Sequence, residues 1–572
     1  YQINGFIEEV KLNILNKHTI EKLNFNFDIK DKKYTLKNLS TNYNGFKLSS
    51  PFINIKDKNN KFSINGRLTN STKSIVELNN TFVEFIKNNK IEAINFSSDN
   101  NFSFEINKKF QISNFNLKST IKLNQLIYKN DLLDLNNYLP KFKDSIELKN
   151  HQILINYEKN NIDISGKGKV IIEGKIDSLN YKINKKDDLY VFDTTVIVKE
   201  NSLLFDAIEY EKKEDLKSTL RLKGKYKKDK IIEFVSILFN ENKNFFLIDN
   251  LKLNDKFKIL SVKKVELNFL NTNNIQNKIN LKTNKKKYEI YGESFDASKL
   301  INKVLDGGSD KKTKSIFHNL NSDIIIQINK TYLDEVEFVK NLTGNIKFSN
   351  NKIKQLNLKS FFLNKKKLTL NLNVNKNNEQ ITTLYSEYPK PLVDKYKFIN
   401  GFEEGVLDFY SIKKDNISKS VLTIDNFKLQ EVPVLAKLLT LASLQGIADI
   451  LTGEGIRFSD FEMKFSNTRG LMTIEELYAI GPAISILMDG YIESKKTISL
   501  RGTLVPATTI NRTIASIPLI GNILVGKKTG EGVFGVSFKV KGPPKNLKTS
   551  VNPIKTLTPR FITRTLEKIK KN

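Results

Sequence analysis

Residues 521–528 (GNILVGKK) come closest in this sequence to a motif that performs chemistry, because their spacing is nearly that of a phosphate-binding P-loop. A P-loop needs a Ser or Thr hydroxyl directly after its lysine to reach the metal ion. Here Lys528 stands in that place and Thr529 follows one residue late. The motif also requires an apolar strand ahead of it, where this chain has Pro518. We therefore interpret the segment as a glycine-rich turn before a strand that starts near Val533.

Other residue types that could do chemistry are absent or scattered. The chain contains no Cys, which excludes disulfides, thiolate zinc sites and thiol nucleophiles. Its three histidines, His18, His151 and His318, are far apart and lie among polar or turn-forming residues. No carboxylate pair, Ser-His-Asp set or cluster with metal-ligand spacing stands out. The sequence thus predicts a protein that is not an enzyme, with no catalytic residue, no cofactor and no metal site.

The chain is strongly basic, with 93 Lys and Arg against 62 Asp and Glu and a formal charge of +31. One explanation is an anionic partner, either lipid headgroups or nucleic acid. The other is compositional, since most of the excess is Lys in a chain rich in Asn and Ile, as an AT-rich genome would encode. The positive residues are scattered and form no single block, so we favour the compositional explanation and expect no nucleic-acid partner.

Alternation of apolar and polar residues is the dominant pattern along the whole chain, and it predicts β-strands. Examples are residues 23–29, 102–106, 162–164, 368–374, 498–501 and 534–540. Successive side chains of a strand point to opposite faces, so each run has one apolar face and one face of Asn, Lys, Ser or Thr. Short turn-forming segments between the runs indicate antiparallel meanders. We expect a mainly β fold.

A few segments have helical spacing instead: residues 75–87, 132–139, 296–305, 433–451 and about 559–571. The helix at 433–451 is the most apolar, yet it contains Lys437, Gln445 and Asp449, and a charge at bilayer depth is costly. We therefore do not expect it to span a membrane. It could be buried against the sheet, or it could cap one end of a groove, and both can hold. The candidate residues for such a cap are Leu435, Leu438, Leu439 and Ile450.

The predicted C-terminal helix is basic and amphipathic. Its cations include Arg560, Arg564, Lys568 and Lys570, and apolar residues lie between them. Such a helix could rest on an anionic membrane surface, or it could be a solvated tail. The sequence leaves both possibilities open.

The length of the chain, 572 residues, exceeds what one conventional core accommodates, since single cores usually stop growing at about 250–300 residues. A continuous sheet built from all of its strands would have to twist and curl. Too few helices are predicted to cover its apolar face. A barrel, a set of sandwiches or a curled trough could each solve this problem, although the strand spacing lacks the regularity of immunoglobulin-like sandwiches.

Several motifs in the second half of the chain carry a resemblance to a known family. They are GESFDA (292–297), LTGNI (342–346), GVL (405–407), VPVLAKLLTLASLQG (432–446), GEGIRF (453–458), GPA (481–483), IPLIGNIL (517–524), GEG (530–532), VNPI (551–554) and LTP (557–559). From about Tyr291 onward the sequence resembles the AsmA-like superfamily, particularly its large YhdP-type members with the AsmA-like C-terminal region. Before Tyr291 only the strand pattern and the composition match.

This resemblance implies an elongated, twisted antiparallel β-sheet curled into an apolar groove, of the repeating β-groove type, with a few short helices. Residues 1–290 would form an N-terminal groove region and residues 291–430 an AsmA-like middle region of a helix and antiparallel strands. Residues 431–572 would form an AsmA-like C-terminal region with the 433–451 helix and the basic C-terminal helix. The resemblance also implies a periplasmic protein of a Gram-negative bacterium, attached to the inner membrane by an anchor that we expect ahead of Tyr1.

Members of the family are associated with phospholipid transport to the outer membrane and with envelope integrity, so we expect a bridge that moves phospholipid between the inner and outer membranes. Alternation without covering helices gives candidates for the groove wall: Leu368, Leu370, Leu372, Val374, Ile498, Leu500, Val536, Phe538 and Val540. The alternative is a non-enzymatic envelope scaffold or an outer-membrane assembly factor, which would bind envelope proteins through sheet edges or an exposed patch.

Overall fold

The structure of the protein is a computed structural model. It describes residues 2–14, 18–43, 46–58, 60–75, 86–129, 138–140, 142, 144–227, 231–284, 287–299, 301, 319–394, 400–431, 455–468, 470–493, 496–506, 536–543 and 546–552. Its contacts divide the chain into two compact units. Unit 1 consists of Tyr1–Thr283 with Ile316–His318, and unit 2 of Asn284–Ser315 with Asn319–Asn572. The expected region boundaries at residues 290 and 430 stay predictions.

Unit 1 is a series of strands joined mostly by short turns. They are β1 (Gln2–Ile14), β2 (His18–Lys30), β3 (Lys33–Tyr43), β4 (Phe46–Lys58), β5 (Lys61–Thr72), β6 (Ile91–Asn107), β7 (Ile112–Lys129), β8 (Ser145–Glu158), β9 (Asn161–Ile172), β10 (Lys175–Lys186), β11 (Leu189–Val198), β12 (Leu203–Phe205), β13 (Tyr210–Lys212), β14 (Ser218–Lys227), β15 (Ile232–Glu241), β16 (Asn244–Leu253), β17 (Ile259–Ser261), β18 (Lys264–Leu270) and β19 (Gln276–Asn284).

The strands of unit 1 pair in chain order, and every described pair is antiparallel. Two insertions interrupt this order. β12 and β13 form a separate hairpin, so that β11 pairs with β14, and the short β17 lies beside β16, which also pairs with β18. This is the antiparallel meander that the alternation and the short polar turns predict.

Unit 2 continues the same pattern and adds one short helix, α1 (Lys390–Val393). Its strands are β20 (Lys287–Asp296), β21 (Ser322–Tyr332), β22 (Phe338–Ser349), β23 (Lys352–Phe361), β24 (Lys367–Val374), β25 (Gln380–Ser386), β26 (Asn400–Lys414), β27 (Ile417–Glu431), β28 (Ile456–Thr468), β29 (Leu471–Ile480), β30 (Ile484–Glu493), β31 (Thr497–Pro506), β32 (Val536–Gly542) and β33 (Lys548–Asn552). Neighbours in the chain again pair with each other, and from β21 onward all described pairs are antiparallel.

β20 and β21 depart from the predicted antiparallel order, because they run parallel, with Ile290 opposite Ile326. Two consecutive parallel strands need a long connection that returns the chain to the end where the first strand began. Residues 297–321 provide this connection. The sequence does show a long segment between these two strands. The parallel direction could not be predicted, because alternation within a strand carries no information about the direction in which the strand runs.

Helical structure is sparse within the described ranges. Besides α1, helical turns occur at residues 86–88 and 206–208 and just after β20. The predicted N-cap at Asp296 is confirmed, since its Oδ1 accepts a hydrogen bond of 2.9 Å from the backbone N–H of Ser298. The body of each other predicted helix, at 75–87, 132–139, 433–451 and 559–571, lies wholly or largely outside the described residues. None of the described helices is long and apolar enough to cross a membrane.

Glycines that lie beneath aromatic rings recur in both units. The pairs are Gly5 with Phe27, Gly66 with Phe102, Gly166 with Tyr181, Gly224 with Phe192 and Gly502 with Phe538, and in each the ring occupies the space of the missing Cβ. Because glycine has no side chain, the ring can lie down over the neighbouring strand instead of standing up from the sheet. At these positions the aromatic rings therefore lie flat on the sheet and project little above it.

The expectation of a mainly β, largely antiparallel protein with a few short helices is confirmed for the described residues. Within them β1 pairs with β2 alone and β33 with β32 alone, so the sheet is not closed on itself. A barrel, a set of sandwiches and a curled trough were the three ways to bury the apolar face. Of these, a closed barrel is excluded for the described strands.

Gly224→Ala should destabilise unit 1, because a Cβ at this position would lie 2.5 Å from both the carbonyl oxygen of Glu233 and Cζ of Phe192. Overpacking of this kind typically costs about 1–3 kcal/mol. Urea denaturation followed by circular dichroism measures the loss. Lys225→Ala alters the next residue, which is exposed on the opposite face, and should stay within about 0.5 kcal/mol of the wild type. Equal midpoints for the two variants would contradict the packing argument.

Candidate functional site

One face of the unit 2 sheet carries an unbroken apolar row that crosses every strand from β20 to β33. Residues paired across neighbouring strands share a face, so the row follows from the register. In strand order its members are Ile290, Ile326, Gly344, Leu358, Leu370, Leu384, Phe409, Leu422, Met463, Leu477, Met488, Gly502, Phe538 and Val551. Each is apolar or glycine, and most are half-buried. The alternation of single strands thus adds up to one continuous apolar surface.

The opposite face of unit 2 is polar. A row next to the apolar one consists of Thr343, Lys359, Thr369, Tyr385, Asp408, Thr423, Glu462 and Tyr478. On the same face Lys464 lies 2.9 Å from Glu462 and 3.8 Å from Glu476. The hydrogen bond to Glu462 raises the pKa of Lys464, and burial together with Glu462 raises the pKa of Tyr478 to about 12. At neutral pH Lys464 is therefore charged and Tyr478 is a neutral phenol, and the ion pairs of Lys464 make this part of the face ionic.

Unit 1 has an apolar face of the same kind. From β1 to β9 one row consists of Gly5, Phe27, Leu36, Ile53, Gly66, Phe102, Leu117, Tyr157 and Ile162. From β7 to β19 a second row consists of Ile121, Ile153, Gly166, Tyr181, Thr194, Leu222, Ile237, Ile248, Val265 and Leu281. Thr194 and the two tyrosines are the members with a polar atom, so the surface is apolar along both series of strands.

The opposite face of unit 1 is charged over β9 to β19. One of its rows consists of Ser165, Lys182, Asp193, Lys223, Ser236, Asp249, Lys264 and Lys282. Asp193 accepts hydrogen bonds of 3.2 and 2.9 Å from the guanidinium of Arg221 and lies 3.4 Å from Lys223. The Arg221 hydrogen bonds hold the pKa of this carboxyl below its usual range. Asp193 is thus paired with two cations on the charged face of the sheet.

All of the predicted wall residues lie on the apolar face of unit 2. Leu370 and Phe538 belong to the main row, Leu368 and Val536 to the row on one side of it, and Leu372, Leu500 and Val540 to the row on the other side. Val374 and Ile498 lie one row further out. Leu368, Ile498, Val536, Phe538 and Val540 are buried and the rest are half-buried. The structure therefore brings two distant sequence patches onto one surface, while their contact with lipid stays a prediction.

The strands of unit 2 end at two borders that differ in their connections. At one of them, here called the insertion border, long connections begin or end: residues 297–321, 387–399, 432–455 and 507–535. At the other, here called the turn border, successive strands are joined by short turns at 350–351, 375–379, 415–416, 469–470, 494–496 and 543–547. Each of these long connections thus has at least one of its ends at the insertion border.

Burial in unit 2 rises toward the insertion border. Leu407 and Leu504, one row nearer to it than the main row, are only 4% and 1% exposed, whereas their neighbours Leu384 and Met488 are half-buried. Beyond them lie the stacked rings of Phe402, Phe427 and Phe458, with centroids 5.3 Å apart in each successive pair. α1 contributes Val393 to this cluster. The row next to the insertion border is therefore the most consistently buried, and Val540 and Ile498 on the turn-border side are buried as well.

Unit 1 has two borders of the same kind. Its insertion border carries the long connections 73–90, 130–144 and 199–217, and its turn border carries short turns such as 108–111, 159–160, 187–188 and 228–231. The connection 254–263, which includes β17, is the longest at the turn border of unit 1. Residues of the first insertion pack on the face, since Ile86 is 6% exposed and clusters with Phe46 and Phe96.

The hairpin formed by β12 and β13 folds over the apolar face of unit 1 at its insertion border. Tyr210 is 1% exposed, and its ring packs edge-on against Phe239, Phe246 and Phe269 at centroid distances of 5.8, 4.8 and 5.6 Å. Phe205 adds edge-on contacts to Phe239 and Phe246. These rings exclude water from the sheet beneath them, so the hairpin fills this part of the face with the protein's own side chains.

Buried polar groups hold the hairpin in place. Lys212 is fully buried, and its Nζ donates hydrogen bonds of 2.7 and 2.6 Å to the backbone oxygens of Lys199 and Asn201. Asp177 accepts hydrogen bonds from the backbone N–H of Lys199 at 2.6 Å and from the side-chain amide of Asn201 at 2.8 Å. Burial lowers the pKa of Lys212, and the nearby carboxylates of Asp177 and Glu241 oppose that shift. A buried lysine with its donors satisfied fixes the hairpin as a permanent part of the border.

Tyr210 anchors the hairpin through its hydroxyl as well as through its ring. The hydroxyl donates a hydrogen bond to Glu241, which is 5% exposed at the end of β15. Burial and this carboxylate raise the pKa of Tyr210, so the hydroxyl remains protonated as a donor. This hairpin was not predicted from the sequence, because residues 203–212 do not show sustained alternation. The apolar triplet at 203–205 inside a charged stretch was the available signal.

His151 lies on the apolar face of unit 1, in a row next to the insertion border. It is 1% exposed, its ring lies over Gly168, and its Nε2 is 2.9 Å from the backbone oxygen of Lys169. Nδ1 has no hydrogen-bond partner in the structure. Burial lowers the pKa of His151, so the ring is neutral and donates from Nε2 to the carbonyl. This histidine packs as an aromatic side chain on the sheet.

Other predicted site residues fall outside the described ranges. These are the groove-end candidates Leu435, Leu438, Leu439 and Ile450, the membrane-surface candidates Arg560, Arg564, Lys568 and Lys570, and the glycine-rich segment 521–528. Within the ranges that are described, no group of three or more His, Asp or Glu side chains could hold a metal ion.

Comparison with known proteins finds no match for this chain, either among protein-family models or among curated protein sequences.

The stability of the protein should depend on pH through His151. Its pKa is lower in the folded protein than in the unfolded chain, so the unfolded chain binds the proton more readily. As the pH falls from about 7.5 to about 5 it passes the unfolded pKa of about 6.5, and from there downward stability is lost until the pH lies below the folded pKa. Well above pH 6.5 the group has no effect on stability. His151→Phe keeps a ring over Gly168 but does not titrate, so its urea midpoint should fall less over this range than the wild-type midpoint.

The measured quantity is the change in urea midpoint with pH within each protein. His151→Phe also loses the hydrogen bond to Lys169, but this loss is the same at every pH and does not affect that change. All other ionisable groups are the same in the two proteins, so their contributions cancel in this comparison. Equal decreases in midpoint for the wild type and His151→Phe would show that His151 is not buried as a neutral ring.

Proposed function

We propose that the apolar faces bind the acyl chains of amphiphiles, and that the protein moves phospholipid along them between the two membranes of a Gram-negative envelope. The observation that supports this most directly is the main apolar row of unit 2, to which every strand from β20 to β33 contributes an apolar residue or a glycine, most of them half-buried. In this proposal each sheet curls around its apolar face into a groove, and the insertion border forms the closed side.

The energetic reason for such a surface is the cost of exposing acyl chains to water. Burial of a methylene group contributes about 0.8 kcal/mol, so a sixteen-carbon chain resists leaving a bilayer by about 12 kcal/mol. A row of apolar side chains that continues from strand to strand would remove most of this barrier at every step. No bond is made or broken, so the proposal requires no catalytic residue, only an unbroken apolar surface.

The location and the membrane partners in this proposal come from the resemblance to the AsmA-like superfamily. It places the protein in the periplasm, attached to the inner membrane by an anchor and reaching the outer membrane. The basic residues Arg560, Arg564, Lys568 and Lys570 would then be available for an anionic lipid surface.

An envelope scaffold or outer-membrane assembly factor is the second candidate, and the edge of unit 1 favours it. Within the described residues β1 pairs on one side only, and its Ile3, Phe6 and Leu12 are 57%, 69% and 41% exposed. A strand with free backbone groups and exposed apolar side chains can pair with a strand of another protein. A scaffold would use this edge and would not retain lipid.

Charges placed on the apolar row should abolish lipid binding. We expect that Leu370→Asp combined with Leu372→Asp removes the phospholipid that mass spectrometry detects on the purified wild-type protein, because a carboxylate in an acyl-chain path costs several kcal/mol. The matched control is Asn371→Asp combined with Asn373→Asp, on the same strand but on the polar face. Lipid retained equally by both double variants would contradict the proposal.

A second measurement separates loss of lipid from loss of folding. The chain contains no Cys, so Leu372→Cys provides a unique thiol that a charged reagent can modify after folding. Modification should release lipid while the circular dichroism spectrum stays unchanged. Modification of Asn371→Cys on the polar face should leave lipid in place.

A further inference from the structure

The two borders of the apolar face in unit 1 differ in chemistry as well as in connections. Toward the insertion border the face carries Leu220, Phe239 and Phe246, paired directly across β14, β15 and β16. Phe239 and Phe246 are only 2% and 6% exposed, because the β12–β13 hairpin covers them. A bound molecule could not bring a polar group to this side without displacing packed aromatic rings.

The polar groups at the insertion border are already occupied. Lys212 donates to two backbone oxygens, Asp177 accepts from backbone and side-chain donors, and Glu241 accepts from Tyr210. A charged headgroup placed among them would lose its hydration without gaining new partners, which is unfavourable in a buried site. The insertion border therefore suits hydrocarbon and disfavours a headgroup.

The turn border of the same face has the opposite character. Its row contains Tyr157, Lys185, Tyr190 and Tyr226, each paired directly to a member of that row on the adjoining strand. Lys185 Nζ lies 5.6 Å from the centroid of the Tyr190 ring, and the Tyr190 and Tyr226 rings are 5.9 Å apart. The Tyr157 hydroxyl donates to Asn160 in the adjacent turn at 3.1 Å.

The side chains of tyrosine and lysine are both amphipathic, which suits them to the boundary between hydrocarbon and water. Each has an apolar body that can lie on an apolar surface and a polar tip that stays in water. All four side chains are half-buried, so their bodies extend the apolar face while hydroxyl and ammonium groups mark its margin. Such a margin would provide hydrogen-bond donors and one positive charge at the place where the headgroup of a bound lipid would lie.

We infer that a lipid on unit 1 is oriented across the sheet, with its acyl chains over the middle rows and toward the hairpin and its headgroup at the turn border beside Tyr157, Lys185, Tyr190 and Tyr226. This inference rests on the proposed function and adds a direction to it. The hairpin blocks one side of the face, and the Tyr–Lys margin leaves the other side open to water.

Single tryptophans can test this orientation, because the natural chain contains none. Tyr190→Trp reports the turn border, Phe192→Trp the middle of the face on the same strand, and Phe246→Trp the insertion border. Phe245→Trp is the matched control, since Phe245 points to the opposite face from its neighbour. Each variant is loaded from vesicles of phosphatidylcholine with a nitroxide on the headgroup or with bromine in the middle of the acyl chains, and is then separated from the vesicles.

The headgroup nitroxide should cause the largest loss of emission in Tyr190→Trp and a small loss in Phe246→Trp. The brominated chains should quench Phe192→Trp most, and neither lipid should quench Phe245→Trp. Headgroup quenching that is as strong in Phe246→Trp as in Tyr190→Trp would overturn the orientation while leaving lipid binding intact. No quenching of Phe192→Trp by either lipid, with an unchanged circular dichroism spectrum, would instead refute the proposed function.

Discussion

Pairing of backbone groups is the constraint on which the rest of this protein depends. A strand satisfies its N–H and C=O groups by pairing with neighbours on both sides, and pairing in register forces the apolar side chains of successive strands onto one surface. Here that surface continues from Ile290 to Val551 in unit 2, with no member of the row replaced by a polar residue. The hydrogen bonds that stabilise the sheet thus also create a large apolar face that must be kept from water.

The protein covers this face unevenly. Long connections begin or end at one border of each unit, and near that border Phe402 and Leu504 of unit 2 and Phe239 and Phe246 of unit 1 are buried. Most residues of the middle rows are half-buried, which is what the proposed binding of a flexible acyl chain would require. Glycines beneath aromatic rings fit the same requirement, because a ring that lies flat contributes apolar area without projecting into the space above the sheet.

Much of the fold can be predicted from the alternation of apolar and polar residues. What this pattern cannot predict has physical reasons. The alternation at Leu368–Val374 predicted both a strand and its apolar face, because a period of two residues is the period of a β-strand. Asp296 predicted the start of a helix, because an N-cap depends only on residues that are neighbours in the sequence. The parallel pairing of β20 with β21 was not predictable, since direction depends on where a long connection returns. The hairpin at 203–212 and the burial of His151 and Lys212 depend on contacts between residues far apart in sequence, which no local pattern contains.

The proposed binding of acyl chains by the apolar rows would also account for the few recognisable motifs in the site. An active site needs particular groups at particular distances, whereas an acyl chain is attracted by any hydrocarbon surface in proportion to its area. Ile326, Leu370, Phe409, Met463 and Phe538 occupy equivalent positions in one row, and any of them could serve in the place of another. What such a surface must preserve is the alternation and the register, because a slip of one residue would turn a whole strand's apolar side chains to the polar face. The specific residues of the molecule are accordingly found at its borders, where Lys212, Asp177 and Tyr210 determine which side of the face is closed.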